Sequence, residues 1–297
     1  LAGASLGAGC ESLRSLPGDL SKRPGFSETA RASSGLPTVR KPGKHWLRVS
    51  QYVFYSDTPL AEEDPLFREL EGLPEQIQQE LRLPPGTQVI QVFLFETQEQ
   101  YEGFMRERYP WLPVRRAYFI ADQKRPGAAD DLIVYTWMGD HLRTDLRHEL
   151  THAVLHGVLK DVPLWLDEGL AGFFEQPVAY NGVNPSHLDA LRRGAFEPNL
   201  ARLEKLGQVK QMEKAEYREA WAWVHFCLRG DANARKTLLN YLARLREVPN
   251  PGPLLPELQA VIAHPEEALQ AHLERTQLPS PLARGGITAS PWLLNQR

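Results

Sequence analysis

Apolar residues change rhythm once along this chain. Up to about residue 139 they come mostly in short runs rich in β-branched and aromatic side chains; beyond it they recur at three- and four-residue steps. The first pattern marks strands with a few helices between them, the second amphipathic helices. WLRVSQYVFYSD, residues 46–57, predicts a strand. DPLFRELEGLPEQIQQEL places Leu66, Leu70, Leu73, Ile77 and Leu81 at helical steps, with Pro74 expected to kink or divide the helix. TQVIQVFLFET is the clearest strand, and QEQYEGFMRERYP reads as a short helix closed by Pro110. RRAYFIADQ and DLIVYTWMG, joined by the Pro-Gly-containing KRPGAADD, predict a hairpin or neighbouring strands. From Asp161 to about Gln277 no convincing strand follows, and no internal repeat is present.

The expected fold class is therefore α+β: a mixed α/β half with a small sheet over 46–160, then an all-helical half over 161–277. Residues 1–45 read as a linker with a signal remnant at its start, and 278–297 as a tail.

Composition narrows the function classes only a little. Of 297 residues, 42% are apolar and 24% charged, and the net charge of −3 gives no reason to expect a nucleic-acid partner. No run of eighteen apolar residues occurs, so no transmembrane helix is expected. Cys10 and Cys227 are the only cysteines, which sets aside a disulfide framework and leaves any metal to histidine and carboxylate ligands. The opening LAGASLGAGC has two readings of equal standing: a flexible small-residue terminus, or the end of a secretory signal. In the second it resembles a bacterial lipoprotein processing site, although Leu6 lies four residues before the cysteine where three is usual. Lipidated Cys10 would then attach an exported protein to a membrane of the periplasm or cell envelope; a cytoplasmic location is the alternative.

Candidate chemistry is concentrated in LRHELTHAVLHG, residues 146–157. On a helix turning about 100° per residue, Leu142, Leu146, Leu150, Val154 and Val158 form an apolar stripe, with His148, His152 and His156 nearly opposite. His148 and His152, four residues apart, can aim their nitrogens at one ion. Glu149, about a quarter turn aside, can reach a water on that ion without ligating it. The competing reading is a solvated helix face with incidental histidines. His156 is not expected to complete the site, because two four-residue steps spread the outer side chains over about 12 Å of rise and about 80° of rotation. His141 and Asp145 project onto the same face and are expected to be solvated there, with lining of a cleft as the alternative.

A third ligand has to be sought in DVPLWLDEGLAGFFE, residues 161–175. Asp161 and Pro163 supply helix-start chemistry. Glu168 then sits in an otherwise apolar helix, and burying its carboxylate among Trp165, Leu166, Leu170 and Phe173 is costly unless something positive meets it, zinc being the strongest partner available. Asp167 is the competitor for that place, expected to face solvent or to hydrogen-bond a ligating imidazole. Gly169 and Gly172 are expected to let this helix approach the histidine helix closely.

His148-Glu149-x-x-His152, twelve intervening residues and then WLDEGLAGFF resembles the gluzincin metallopeptidases of the MA clan, whose signature pairs the histidine motif with Trp-x-x-Glu-Gly-x-Ala. The short spacing and the later EYREAWAWVHFCL make the chain more similar to small, poorly characterised bacterial peptidase-like families than to large aminopeptidases, over roughly residues 46–245. Position 158 is valine, where zincins that use a third histidine would carry it. The resemblance implies a zincin-like fold, Zn²⁺ held by His148, His152 and Glu168, and Glu149 as the general base. It implies a peptide or protein substrate, with the strand DLIVYTWMG forming the edge of the cleft. No Gly-x-Met-Glu-Asn-type element for a free amino terminus is present, so an endopeptidase is expected rather than an aminopeptidase.

By the same resemblance Tyr217 would donate to the oxyanion. On the residues alone, Tyr217 shares an apolar stripe with Ala220, Trp221, Val224 and Leu228, and a packed core tyrosine is an equal reading. His225 is the alternative donor. Trp221, Trp223 and Cys227 are assigned to the core. Two other functions compete with a hydrolase: a non-catalytic zincin-fold binding protein at the cell envelope, for which Glu149 would be superfluous, and a metal-free structural protein, which leaves Glu168 unexplained.

Overall fold

A computed structural model of the chain describes residues 39–122 and 130–279. The expectations for Cys10, for most of the linker and for the tail from 280 onward fall outside those residues. His45–Val49 (β1) and Tyr52–Ser56 (β2) form a hairpin in place of the single strand expected over 46–57. Val49 pairs with Tyr52 across Ser50 and Gln51, and Ser50 takes a left-handed φ of 54°. Neither turn residue is glycine, asparagine or proline, so the run of strand formers carries no strong break signal.

Helix Pro65–Glu71 (α1) starts at Asp64, whose carboxylate accepts from the Leu66 amide, and helix Leu73–Leu81 (α2) follows after Gly72. The division expected from Pro74 is present, with the proline in the first turn of α2, where its missing N–H costs nothing. Ile90–Phe95 (β3), Gln98–Arg108 (α3), Ala117–Asp122 (β4) and Asp131–Trp137 (β5) complete the first half.

The five strands lie in the order β1-β2-β3-β5-β4. β2, β3 and β5 run parallel, while β1 and β4 are antiparallel to their neighbours. Because successive side chains point to opposite faces, β3 feeds two separate apolar clusters. Ile90, Val92 and Leu94 join the larger core, whereas Phe93 and Phe95 join a smaller one closed by Phe104 and Met105 of α3.

The larger face receives helix Leu142–His156 (α4), which follows β5 directly. Every element after it is helical among the described residues: Leu164–Phe174 (α5), Pro185–Arg193 (α6), Leu200–Leu203 (α7), Lys214–Arg229 (α8), Ala232–Leu245 (α9), Leu255–Gln259 (α10) and Pro265–Arg275 (α11). One continuous core joins the sheet to these helices, running through Val134, Leu150, Leu166, Trp221 and Leu242. Burial of each such side chain contributes roughly 1.5–3 kcal/mol. Trp221, Trp223 and Cys227 are fully buried, as their apolar setting predicted. Among the described residues no helix is long and apolar enough to cross a membrane.

The glycines of α5 face α8 and not α4. A β-carbon on Gly169 would lie 2.5 Å from the Ala220 carbonyl oxygen, and one on Gly172 would meet Trp221 at 3.7 Å. The close approach expected from these residues is thus real at Gly169, but its partner is α8.

Candidate metal centre

α4 ends at Gly157, and a short link through Asp161, at φ 40°, turns the chain so that α5 returns along α4. Aspartate is among the residues that tolerate this left-handed conformation. Pro163, not Asp161, occupies the N-cap position of α5, and no side chain caps that end. The return packs the two motif segments together in the interior.

The face of α4 that carries the histidines is not solvated. His148 is 3% exposed, Glu149 1%, His152 0% and Glu168 2%, so all four groups have left water. His148 Nε2 lies 3.4 Å from Glu168 Oε2, and His152 Nε2 lies 3.7 Å from the same oxygen. Two ligands bound to one tetrahedral ion at about 2.0–2.1 Å sit about 3.4 Å apart, so the spacing suits a small cation. His148 Nε2 and both oxygens of Glu168 are buried without a hydrogen bond. Polar atoms rarely remain so in a folded interior, and His148 Nε2 and Glu168 Oε2, facing each other here, are accounted for by an ion between them. His148, His152 and Glu168 therefore form a group that could hold a metal ion.

Electrostatics point the same way. Burial works against a charged His148, yet the carboxylates of Glu168 and Glu175 outweigh it and raise the imidazole to about 10. Burial likewise works to raise Glu168, but the two facing imidazoles hold its carboxyl below the usual value. The pocket calls for positive charge.

Each histidine of the group is backed by a carboxylate on its other nitrogen. His148 Nδ1 is 2.9 Å from Glu175 Oε2, and the other oxygen of Glu175 accepts from Asn184 Nδ2 at 2.6 Å and from Gln176 Nε2 at 3.3 Å. His152 Nδ1 is 2.9 Å from Asp167 Oδ1, while Asp167 Oδ2 meets His156 Nε2 at 2.9 Å. Asp167 is 1% exposed, which rules out the solvated alternative; its hydrogen bond goes to His156, and it meets the imidazole of His152 as an ion pair. Its carboxyl is held well below the ordinary range: burial opposes this, but His152 and His156 prevail. Such partners fix ring orientation and tautomer.

Glu175, Asn184 and Arg147 escape sequence reasoning. Arg147, 1% exposed, donates to the carbonyls of Phe174 and Gln176 at 2.9 Å each, gripping the residues on both sides of Glu175. It also reaches Gln76 Oε1 at 3.0 Å and Glu69 Oε1 at 3.2 Å, tying the site to α1 and α2. Glu175 has one legible signal: it lies seven residues, two helical turns, after Glu168, on the same face.

The solvated reading of Asp145 and His141 is corrected. Asp145 is 0% exposed and pairs with Arg116 Nη2 at 2.8 Å, and burial still pushes its carboxyl up to about 7 against the arginine. His141 packs its ring 4.3 Å from that of Trp137, and burial, with Arg116 nearby, lowers it to about 4. The start of the helix is covered by Arg116, just before β4, and by Trp137 of β5.

The cleft edge is corrected as well. β5 lies inside the sheet between β3 and β4, so it has no free edge, and β4 is the outer strand. Phe119 of β4 stacks 6.3 Å from the His152 ring and 5.2 Å from that of His156. Tyr217, at the start of α8, is half-buried against the core, with its hydroxyl 3.4 Å from Arg115 Nη1 just before β4. His225 instead bonds His272 of α11 through Nδ1 at 2.8 Å and packs against Phe173 and Trp221. Burial lowers it to about 3.

No family model matches the chain, and no curated protein matches it. Among solved structures it is similar to an M1 zinc metallopeptidase from Deinococcus radiodurans, at 16% identity and a TM-score of 0.39. A point mutant of that enzyme matches at 17% identity and a TM-score of 0.36. Both alignments cover 82% of this chain and 54% of the other, so the chain spans about half the length of these structures.

Proposed function

We propose that this chain is a zinc-dependent peptide hydrolase, acting as an endopeptidase. One observation carries the reading: His148 Nε2, His152 Nε2 and Glu168 Oε2 converge at ion-ligand spacing in a buried pocket. His148, His152 and Glu168 would hold the zinc, and the donor set of two imidazoles and a carboxylate with one position left over is that of catalytic zinc sites. A zinc ion so held acidifies water and polarises a carbonyl.

The chain's own residues supply the remainder. Glu149, buried and one residue after His148, takes the proton of the attacking water and returns it to the leaving amine. Tyr217 donates a hydrogen bond from its hydroxyl to the developing oxyanion, with Arg115 beside it. Burial of Glu149 and of the ligand group strengthens their electrostatic interactions.

Metal content and hydrolysis of a casein or peptide-library substrate test the proposal together. Wild type and Glu149→Gln should each carry about one zinc per chain, with hydrolysis abolished in Glu149→Gln, and Glu168→Ala should lose metal. Metal fully retained in Glu168→Ala, or hydrolysis undiminished in Glu149→Gln, would sink it.

A further inference from the structure

We infer that His156 is a positioning residue for the metal: through Asp167 it fixes the imidazole of His152, and with it the direction of the nitrogen that faces Glu168. The inference rests on the reading of His152 as a ligand. It gives a role to the histidine that helical spacing leaves out of the metal group.

The geometry is a hydrogen bond and an ion pair that share one carboxylate across two helices. His152 and His156 stand one turn apart on α4, and Asp167 of α5 inserts its carboxylate between them. Oδ1 lies 2.9 Å from His152 Nδ1, and Oδ2 lies 2.9 Å from His156 Nε2. A carboxylate only accepts, so His156 Nε2 carries the proton in its hydrogen bond to Asp167, while Asp167 Oδ1 faces His152 Nδ1 as an ion pair. With the carboxylate against Nδ1, the Nε2 of His152 faces the side where Glu168 Oε2 sits 3.7 Å away, and an Nδ1–H tautomer is the form that leaves that nitrogen a lone pair for a metal.

Without His156, Asp167 Oδ2 would be buried with nothing to accept from, and the carboxylate could turn or shift to find a partner. With it, Oδ2 is satisfied and Oδ1 is held against His152 Nδ1. Phe119 of β4 packs against both imidazoles and keeps this side dry. Glu175 is held for His148 in an equivalent way by Asn184.

His152, His156 and Asp167 also satisfy the distance requirement for a metal group of their own. Two features argue for protons in place of a second ion. Both spacings are 2.9 Å, the usual hydrogen-bond length, whereas ligands of one tetrahedral ion stand about 3.4 Å apart. An ion on Nδ1 of His152, with another on Nε2, would also require an imidazole stripped of both protons.

The test is zinc affinity of the full-length apoprotein by chelator competition, on wild type, His156→Met and His156→Gln. Glutamine can present an N–H near the place of Nε2, and methionine cannot. We expect His156→Met to weaken zinc binding by about 10- to 100-fold, and His156→Gln to stay within about threefold of wild type. Nitrogen-15 NMR of the zinc-loaded wild-type imidazoles needs no variant to fold: His152 should be the Nδ1–H tautomer and His156 the Nε2–H tautomer. A wild type that binds one zinc no more tightly than His156→Met overturns this inference alone, as does an Nδ1–H tautomer at His156. Two zinc ions per wild-type chain, the second lost in His156→Met, also overturns it. A wild type that takes up no zinc overturns the metal reading and this inference with it.

Discussion

Glu175 accepts from His148 with one oxygen and from Asn184 with the other, so it can orient a metal-facing imidazole without touching the metal. Replacing it with leucine should weaken zinc binding by about 10- to 100-fold while leaving the ion-to-chain ratio at saturation unchanged. Chelator competition reads this directly, and unchanged affinity would show that His148 needs no backing. At this scale the sequence is partly transparent. A four-residue spacing of histidines and a carboxylate among apolar neighbours single out His148, His152 and Glu168, because both signals are local. Arg147 and Asn184 carry no such signal. An arginine beside His148 looks the same in sequence whether it reaches water or, as here, grips the carbonyls of Phe174 and Gln176.

Between elements, the decisive contact is that of α5 with α8. Gly169 faces the backbone of Ala220 so closely that a methyl group cannot fit, whereas Gly172 meets Trp221 at ordinary van der Waals distance. Gly169→Ala should therefore destabilise the fold by about 1–3 kcal/mol, while Gly172→Ala should be neutral or stabilising by up to about 1 kcal/mol. Urea unfolding of the two variants separates them; equal effects would contradict the packing described. The close approach at Gly169 was legible and none is found at Gly172, while which helix approaches is a tertiary fact. The break between α1 and α2 was legible from Pro74. The hairpin at Ser50 and Gln51 was not, since those residues send no strong turn signal.

Over the whole molecule, the succession of a small sheet and a helical half follows from the change in hydrophobic rhythm, and the α+β class with it. The order of strands does not. Nothing in RRAYFIADQ or DLIVYTWMG says which lies outside, because both are apolar on both faces and both are buried. Only the pairing of β5 with β3 leaves β4 at the edge, beside α4. That arrangement places an outer strand and a return helix around one buried group of ligand atoms, and the function proposed depends on an ion being there.

X-ray absorption at the zinc edge of the zinc-loaded full-length chain examines that claim most directly. About one ion per chain is expected, with nitrogen and oxygen neighbours at about 2.0–2.1 Å, scattering from two imidazole rings and no sulfur. A spectrum without imidazole scattering, or one unchanged when Glu168 and His148 are both replaced by alanine, would contradict it.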